Sequence, residues 1–232
     1  MTLGIIGAME VEVARPKEAM EDKMIKSKAG MEFCSGRLGG CPAVVVRSGI
    51  GKVNAALCAQ ILVDDFGVDA IVNTGIAGSL RAEINIGDIV VSSDALQHDM
   101  DAAGFGYAPG VIPQMDCSVF PADQKLIALA EECCAQANLD IQVFTGRVVS
   151  GDQFISDKNK KEWLIRTFEG SCTEMEGAAI AQAAYLNGVP FLIIRAISDK
   201  ADDSAQMDYD EFEKKAVEHS VNLMLAMARR LA

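Results

Sequence analysis

One stretch narrows the folds open to this chain more than any other: Thr173 to Lys200, TEMEGAAIAQAAYLNGVPFLIIRAISDK. Its Ala-rich middle favours a helix. The break Asn187-Gly188-Val189-Pro190 ends that helix, because glycine suits a left-handed helix end and proline cannot continue one. An apolar run from Phe191 to Ile194 follows. A run without polar alternation reads as a strand buried on both faces, as in parallel sheets covered by helices. Glu174 and Glu176 open the helix, and Arg195, Ser198 and Asp199 close the strand. Ligands of open α/β sheets bind beyond the carboxyl ends of strands, so charged side chains collected there are site candidates. Taken alone, the same residues also describe a capped helix and a solvated turn.

The rest of the chain repeats the alternation. Leu3 to Gly7 reads as a short buried strand, Ala8 to Glu12 as the turn after it, and Pro16 permits a polar helix to about Met24. Met31 to Leu38 and Ala43 to Arg47 read as strands joined by Gly39-Gly40. Gly49-Ile50-Gly51-Lys52 then opens a helix with Val53, Leu57 and Ile61 four residues apart. Asp69 to Asn73 is a second unbroken apolar run, ending in Thr74-Gly75-Ile76-Ala77-Gly78-Ser79. Strands are expected over Gly87 to Ala95 and Asp140 to Ser150, and helices over Pro121 to Asn138 and Lys158 to Thr167. Gln97 to Ser118 is aperiodic and rich in Gly and Pro, a loop long enough to imply a function of its own. In the last helix, Asp208 to Leu231, Val217, Val221, Met224, Ala228 and Leu231 form one apolar face. This pattern argues for a mainly parallel sheet in a helical jacket, with one domain over residues 1–232.

Composition removes several classes of function. A formal net charge of -12 repels nucleic acid and anionic lipid, so neither is an expected partner. No apolar stretch is long enough to span a bilayer, and no signal peptide precedes the first strand. The seven Cys lack any C-x-x-C pair, and His98 and His219 are far apart, so no metal site is expected. The cysteines read as small core residues of a cytoplasmic protein. The glycine-rich loops fail the nucleotide patterns. A Walker loop ending in Gly51-Lys52 needs glycine where Val46 stands, and a dinucleotide loop from Gly49 needs it at Asn54.

Acidic residues at strand ends carry more information. Glu10 and Glu12 follow the first strand, Glu174 and Glu176 flank Met175, and Asp199 ends a later strand. In a parallel sheet these places share one rim. Such a set beside Arg195 suits acid/base chemistry on a polar, uncharged ligand.

At these residues the chain resembles the 5'-methylthioadenosine/S-adenosylhomocysteine nucleosidases of the nucleoside phosphorylase-like superfamily. The matching segments are GIIGAMEVEV (4–13), SGIGKVNAA (48–56), NTGIAGS (73–79), GDIVVS (87–92) and HD (98–99). They continue with AGFGY (103–107), SGDQFI (150–155), TEMEGAAIA (173–181), RAISDKAD (195–202) and DEF (210–212). The resemblance implies a three-layer α/β/α fold with a central mixed, mostly parallel twisted sheet. It implies hydrolysis of the N-glycosidic bond between adenine and a 5-thio-substituted ribose, without a cofactor, as a step of methionine salvage. Glu12 would activate the attacking water. Asp199, helped by Ser198, would protonate adenine at N7, and for that it must still hold its proton near neutral pH. Glu176 would bind the ribose hydroxyls with the backbone of Met175. Carboxylates near the sugar stabilise the oxocarbenium-like transition state, and protonation lets adenine leave neutral.

By the same resemblance, Phe154 would stack on adenine and Ile155 would meet the purine edge with its backbone. Ala77 and Gly78 would line the pocket, with Arg195 beside it. Met9, Ile50, Met207 and Tyr209 would form the slot for the alkylthio group. Phe105, Tyr107 and Pro113 resemble the segment that these enzymes insert into the neighbouring subunit's site, which implies a homodimer. Two positions depart from the pattern: Ile76, where some members have Ser, and Gly177, where Ala or Thr is frequent. Ile76 offers no hydroxyl to a phosphate and Glu12 would repel one, so hydrolysis is favoured over phosphorolysis. Against this, Arg47 is an arginine near the pocket that could attract phosphate. A hydrolase of aminofutalosine and a non-catalytic nucleoside-binding protein are the remaining alternatives.

Overall fold

The two apolar runs of the sequence become adjacent strands at the centre of a mixed sheet. The computed structural model describes residues 1–202 and 204–232, with the backbone alone at 206–211. β1 (Leu3–Gly7) is buried along its whole length and runs parallel to β4 (Cys41–Arg47) on one side and β5 (Ala70–Ser79) on the other. β5 also runs parallel to β10 (Phe191–Asp199), every residue of which is buried. β4 and β5, which flank β1 and run the same way, are joined by a helical crossover, α2 (Lys52–Phe66). α5 (Gly177–Asn187) leads into β10 and ends at Gly188, whose φ of 66° is the left-handed cap expected there.

The sheet has an open wing and a closed part. In the wing, β2 (Met20–Lys28) and β3 (Met31–Leu38) extend β4 by antiparallel pairing. On the other side β10 pairs antiparallel with β6 (Ile89–Gln97), and β6 runs parallel to β8 (Val143–Ser150). β8 runs parallel to β9 (Cys172–Glu174), and β9 pairs with the end of β5. Five strands, β5, β10, β6, β8 and β9, therefore close into a ring. The short β7 (Phe120–Pro121) pairs with β6 and completes a ten-stranded sheet.

Helices cover the sheet in two groups. α2 packs with α5, while α1 (Glu10–Glu18) and α3 (Gln124–Ala137) pack with α6 (Ala205–Arg230). With the sheet between, this is the three-layer α/β/α arrangement expected. α4 (Lys158–Phe168) roofs a smaller apolar cluster that includes Leu96, Val149, Leu164 and Phe168. Side-chain caps fix two helix starts: Asp123 accepts the amides of Lys125 and Leu126 at 3.0 Å, and Asp157 accepts that of Lys160 at 2.7 Å. Six of the seven cysteines are buried free thiols, as the core reading required; Cys117 is half-buried.

Two expectations change. The polar helix placed from Pro16 to Met24 is instead α1 from Glu10, with Pro16 inside it, followed by strand β2. Beyond Met20 all of β2 is exposed, so it carries no apolar alternation, and only its pairing with β3 makes it a strand. β5 also runs on through Gly75 and Gly78 rather than stopping at Asn73, because Thr74 to Gly78 pair with β10; buried carboxylates lie against both glycines.

Candidate active site

Six chain segments deliver their ends to one cavity of about 250 Å³ at the carboxyl rim of the parallel strands. Ala8, Met9 and Glu12 come from the end of β1 and the first turn of α1. Ile50 follows β4, and Ile76, Ala77 and Gly78 belong to β5. Phe154 follows β8, Thr173 to Glu176 span β9 and the mouth of α5, and Ser198 and Asp199 end β10.

Glu12 is 2 % exposed. Its Oε2 accepts the Met9 amide at 2.9 Å, which satisfies a donor at the helix start. On the other side Gly75 must lack a side chain, since a Cβ there would stand 2.7 Å from Glu12 Oε1. Burial pushes the Glu12 carboxyl above its ordinary value, against the Met9 amide, the Arg195 charge and the Ala8 and Ile76 amides.

Glu174 and Glu176 stand two residues apart in opposite circumstances. Glu174 is saturated by donors. Its Oε1 accepts the Ser150 hydroxyl, and its Oε2 accepts the amides of Glu176 (3.1 Å) and Gly177 (2.8 Å) and the Arg195 guanidinium. Burial opposes its charge, yet the Arg195 cation, the Ser150 hydroxyl and the Gly177 amide together hold Glu174 below the usual carboxylate range. Glu174, not Glu176, thus takes the amides at the start of α5. Glu176 reaches across to α2, where its Oε1 accepts the Gly51 amide at 2.8 Å. Burial first, and then the Glu174 charge, raise Glu176 to about 8, against Arg195 and Gly51; Glu12 adds to the rise.

Asp199 is 2 % exposed, accepting the Ser198 hydroxyl at 2.9 Å and the Ala201 amide at 2.7 Å. The pairing of β10 with β5 shifts register between Ile197 and Asp199. This irregularity sets the carboxyl against Gly78, where a Cβ would lie 2.7 Å from Oδ1.

The cavity thus joins Glu12, Glu176, Asp199, Ser198, Met9, Ile50, Ala77, Gly78, Phe154 and Met175, all expected from the sequence. Ile155 lines a small adjoining recess with Phe154, Met175 and Asp199. Arg195 stays behind the wall: it is 2 % exposed, and its guanidinium serves Glu174, Asn73 and the Ile194 carbonyl. Phe105, Tyr107 and Pro113 do not line this chain's cavity; Phe105 is 87 % exposed. The side chains of Met207 and Tyr209 lie outside the described residues. Ala8 and Thr173 were missed. Each adjoins a matched motif residue, but a methyl or hydroxyl side chain announces no chemistry. Among the described lining residues none is cationic, and Arg47 is more than half exposed beside Glu10 at 3.8 Å. An apolar slot lined by four carboxyl groups, of which Glu174 is taken up by Arg195, and by no described cation suits a neutral ligand on which positive charge develops.

Comparison with known proteins agrees with this chemistry. The family model described as "Phosphorylase superfamily" matches residues 2–229. A 5'-methylthioadenosine/S-adenosylhomocysteine nucleosidase of Shewanella halifaxensis is 41 % identical over 232 residues, 100 % of both chains. The crystal structure of such a nucleosidase from Colwellia psychrerythraea in complex with adenine has a TM-score of 0.95 at 41 % identity, covering 100 % of this chain and 96 % of that one. A futalosine hydrolase of Helicobacter pylori has a TM-score of 0.94 at 34 % identity, covering 100 % and 98 %.

Proposed function

The chain belongs to the 5'-methylthioadenosine/S-adenosylhomocysteine nucleosidases of the phosphorylase superfamily, hydrolases of N-glycosidic bonds, and from this we propose the part each residue takes in the reaction. The substrates are 5'-methylthioadenosine and S-adenosylhomocysteine, split into adenine and the 5-thioribose. Glu12 takes a proton from the attacking water. Asp199, oriented by Ser198, delivers one to adenine N7. Glu176 grips the ribose hydroxyls beside the Met175 backbone. Phe154 and Ile155 hold the purine, and Met9 and Ile50 enclose the alkylthio end. Arg195 acts from behind by holding Glu174.

The observation that carries this reading is the lining itself: buried Glu12, Glu176 and Asp199 face one apolar slot, and no described lining residue is a cation. Carboxylates beside a ribosyl cation stabilise it, whereas a phosphate dianion entering there would find no cation among the described lining residues to balance it. Adenine release is therefore expected to proceed at the same rate with and without phosphate. A strict phosphate requirement would overturn the hydrolytic assignment. A panel of methylthioadenosine, S-adenosylhomocysteine, 5'-deoxyadenosine and aminofutalosine separates this activity from that of a futalosine hydrolase. Binding without adenine release would indicate a nucleoside-binding protein.

We further propose a single-domain homodimer of the cytoplasm, working in methionine salvage. Val53, Leu57, Tyr185 and Leu186 form exposed apolar ground on the paired helices α2 and α5, and Phe105 projects from the long loop. Apolar surface on this scale supports burial against a second copy. The seven free thiols support a reducing compartment.

A further inference from the structure

The His98-Asp99 pair takes no part in the chemistry above, yet it stands where three segments meet: the end of β6, the start of α2 and the loop after β8. His98 is 1 % exposed, and neither ring nitrogen has a hydrogen-bond partner among the described residues. Its ring abuts the loop so closely that a Cβ at Gly151 would stand 2.4 Å from the ring's Cε1. Burial, the largest influence, pushes the imidazole down to about 4, so at neutral pH it is an uncharged wedge. The next residue makes the polar joint. Asp99 Oδ1 binds Lys52 Nζ at 2.5 Å, and Oδ2 accepts the Asp152 amide at 2.9 Å. Asp152 returns the contact, its Oδ1 accepting the Lys52 amide at 2.8 Å. One residue earlier, the Gly51 amide holds Glu176.

We propose that Asp99 and Lys52 are positioning residues that lock the Gly151–Ile155 loop to the helix start that holds Glu176, so that the adenine and ribose grips form one rigid unit. This rests on the functional reading given above for Phe154, Ile155 and Glu176. An ordinary surface ion pair would do little here. This pair differs in that both side chains are more than four-fifths covered and each carboxylate oxygen of Asp99 is committed to a different segment. Loosening the joint frees the base loop relative to the sugar carboxylate without touching Glu12 or Asp199. Grips that are not held in register before binding must be ordered by the ligand at the expense of binding free energy, so a joint of this kind is expected to show in KM.

The test measures adenine release from methylthioadenosine, and amide hydrogen exchange of the ligand-free full chain, for Asp99→Asn, Lys52→Met, their double variant and Lys52→Arg. Asp99→Asn and Lys52→Met should each raise KM about ten-fold or more while kcat stays within about three-fold. The double variant should be no worse than the weaker single one. Lys52→Arg should restore most of the KM. Exchange at 151–155 should quicken in both single variants while that of β1 and β5 is unchanged. Unaltered KM and unaltered exchange, or a fall in kcat alone, overturns the proposal. If Asp99→Asn fails to fold, Lys52→Met, at the half-exposed first turn of α2, reads the same contrast. If the wild-type chain releases no adenine, the functional reading fails, and exchange at 151–155 still decides whether the joint exists.

Discussion

Glu174 and Glu176 show how far a site can depend on which of two like residues receives the donors. The sequence presents them as equals at the mouth of a helix. Four donors make Glu174 a fixed anion, while burial and then the neighbouring Glu174 charge, offset on the donor side by a single amide, leave Glu176 holding its proton up to about 8. That value lies above the ordinary 4.5 of the unfolded chain, so between the two the folded state binds the extra proton. The stability this supplies is complete below about 4.5 and is lost as pH rises to about 8, by about 1.4 kcal/mol per unit. Below about 6.5 the buried His98 imidazole, pushed down to about 4, contributes the opposite slope. Thermal unfolding of the ligand-free protein should therefore show a Tm that falls from about pH 6.5 to 8, less steeply in Glu176→Gln; parallel curves over that window would refute the assignment. At Asp199, replacement by Asn keeps the shape and removes the acid. It should lower kcat by at least about a hundred-fold and shift stability by less than about 1 kcal/mol, checked by adenine release and urea unfolding. Glu12, Glu176 and Asp199 could be found in the sequence because carboxylates at strand ends are unusual neighbours for apolar runs. Their division of labour depends on amide and guanidinium contacts that spacing does not reveal.

The junction of β9, α5 and β10 sets how securely those residues are held. Arg195 and Glu174 form an ion pair with side chains 2 % and 3 % exposed, so each shields the other from an uncompensated buried charge. Arg195→Met should cost about 3–5 kcal/mol in urea unfolding. Adding Glu174→Gln should recover part of that loss, since the stranded charge is then gone too; a fully additive double variant would argue against the pairing. Arg195 was expected beside the ligand and stands behind it, a difference of one wall that a one-dimensional reading cannot resolve. The helices with caps or apolar stripes were legible, as were the strands with unbroken apolar runs. β2 was not. Eight of its nine residues are exposed, so its strand conformation comes from β3 and not from its own side chains. The extension of β5 was missed for the opposite reason: glycines that usually end a strand are here required within one by carboxylates from α1 and β10.

At the scale of the whole molecule, the cavity is assembled from segments between Ala8 and Asp199, so no local pattern contains it; only motifs in family order made it visible together. The slot's outer rim is expected from a second copy. Val53→Glu with Leu57→Glu, on the exposed face of α2, should shift sedimentation from dimer to monomer and raise KM for methylthioadenosine more than for adenosine; a dimer that persists would place the interface elsewhere. The ring of β5, β10, β6, β8 and β9 also orders events in time. Its closing strand is β10, whose Arg195 meets Asn73 across 122 residues of chain. During synthesis Glu12 emerges long before the strand that carries Arg195 and Asp199, and closing so long a loop is slow relative to local helix formation. Catalytic competence should therefore appear last in refolding, together with protection of the β10 amides. An enzyme that acts only once its final strand has docked has no active fragment to release.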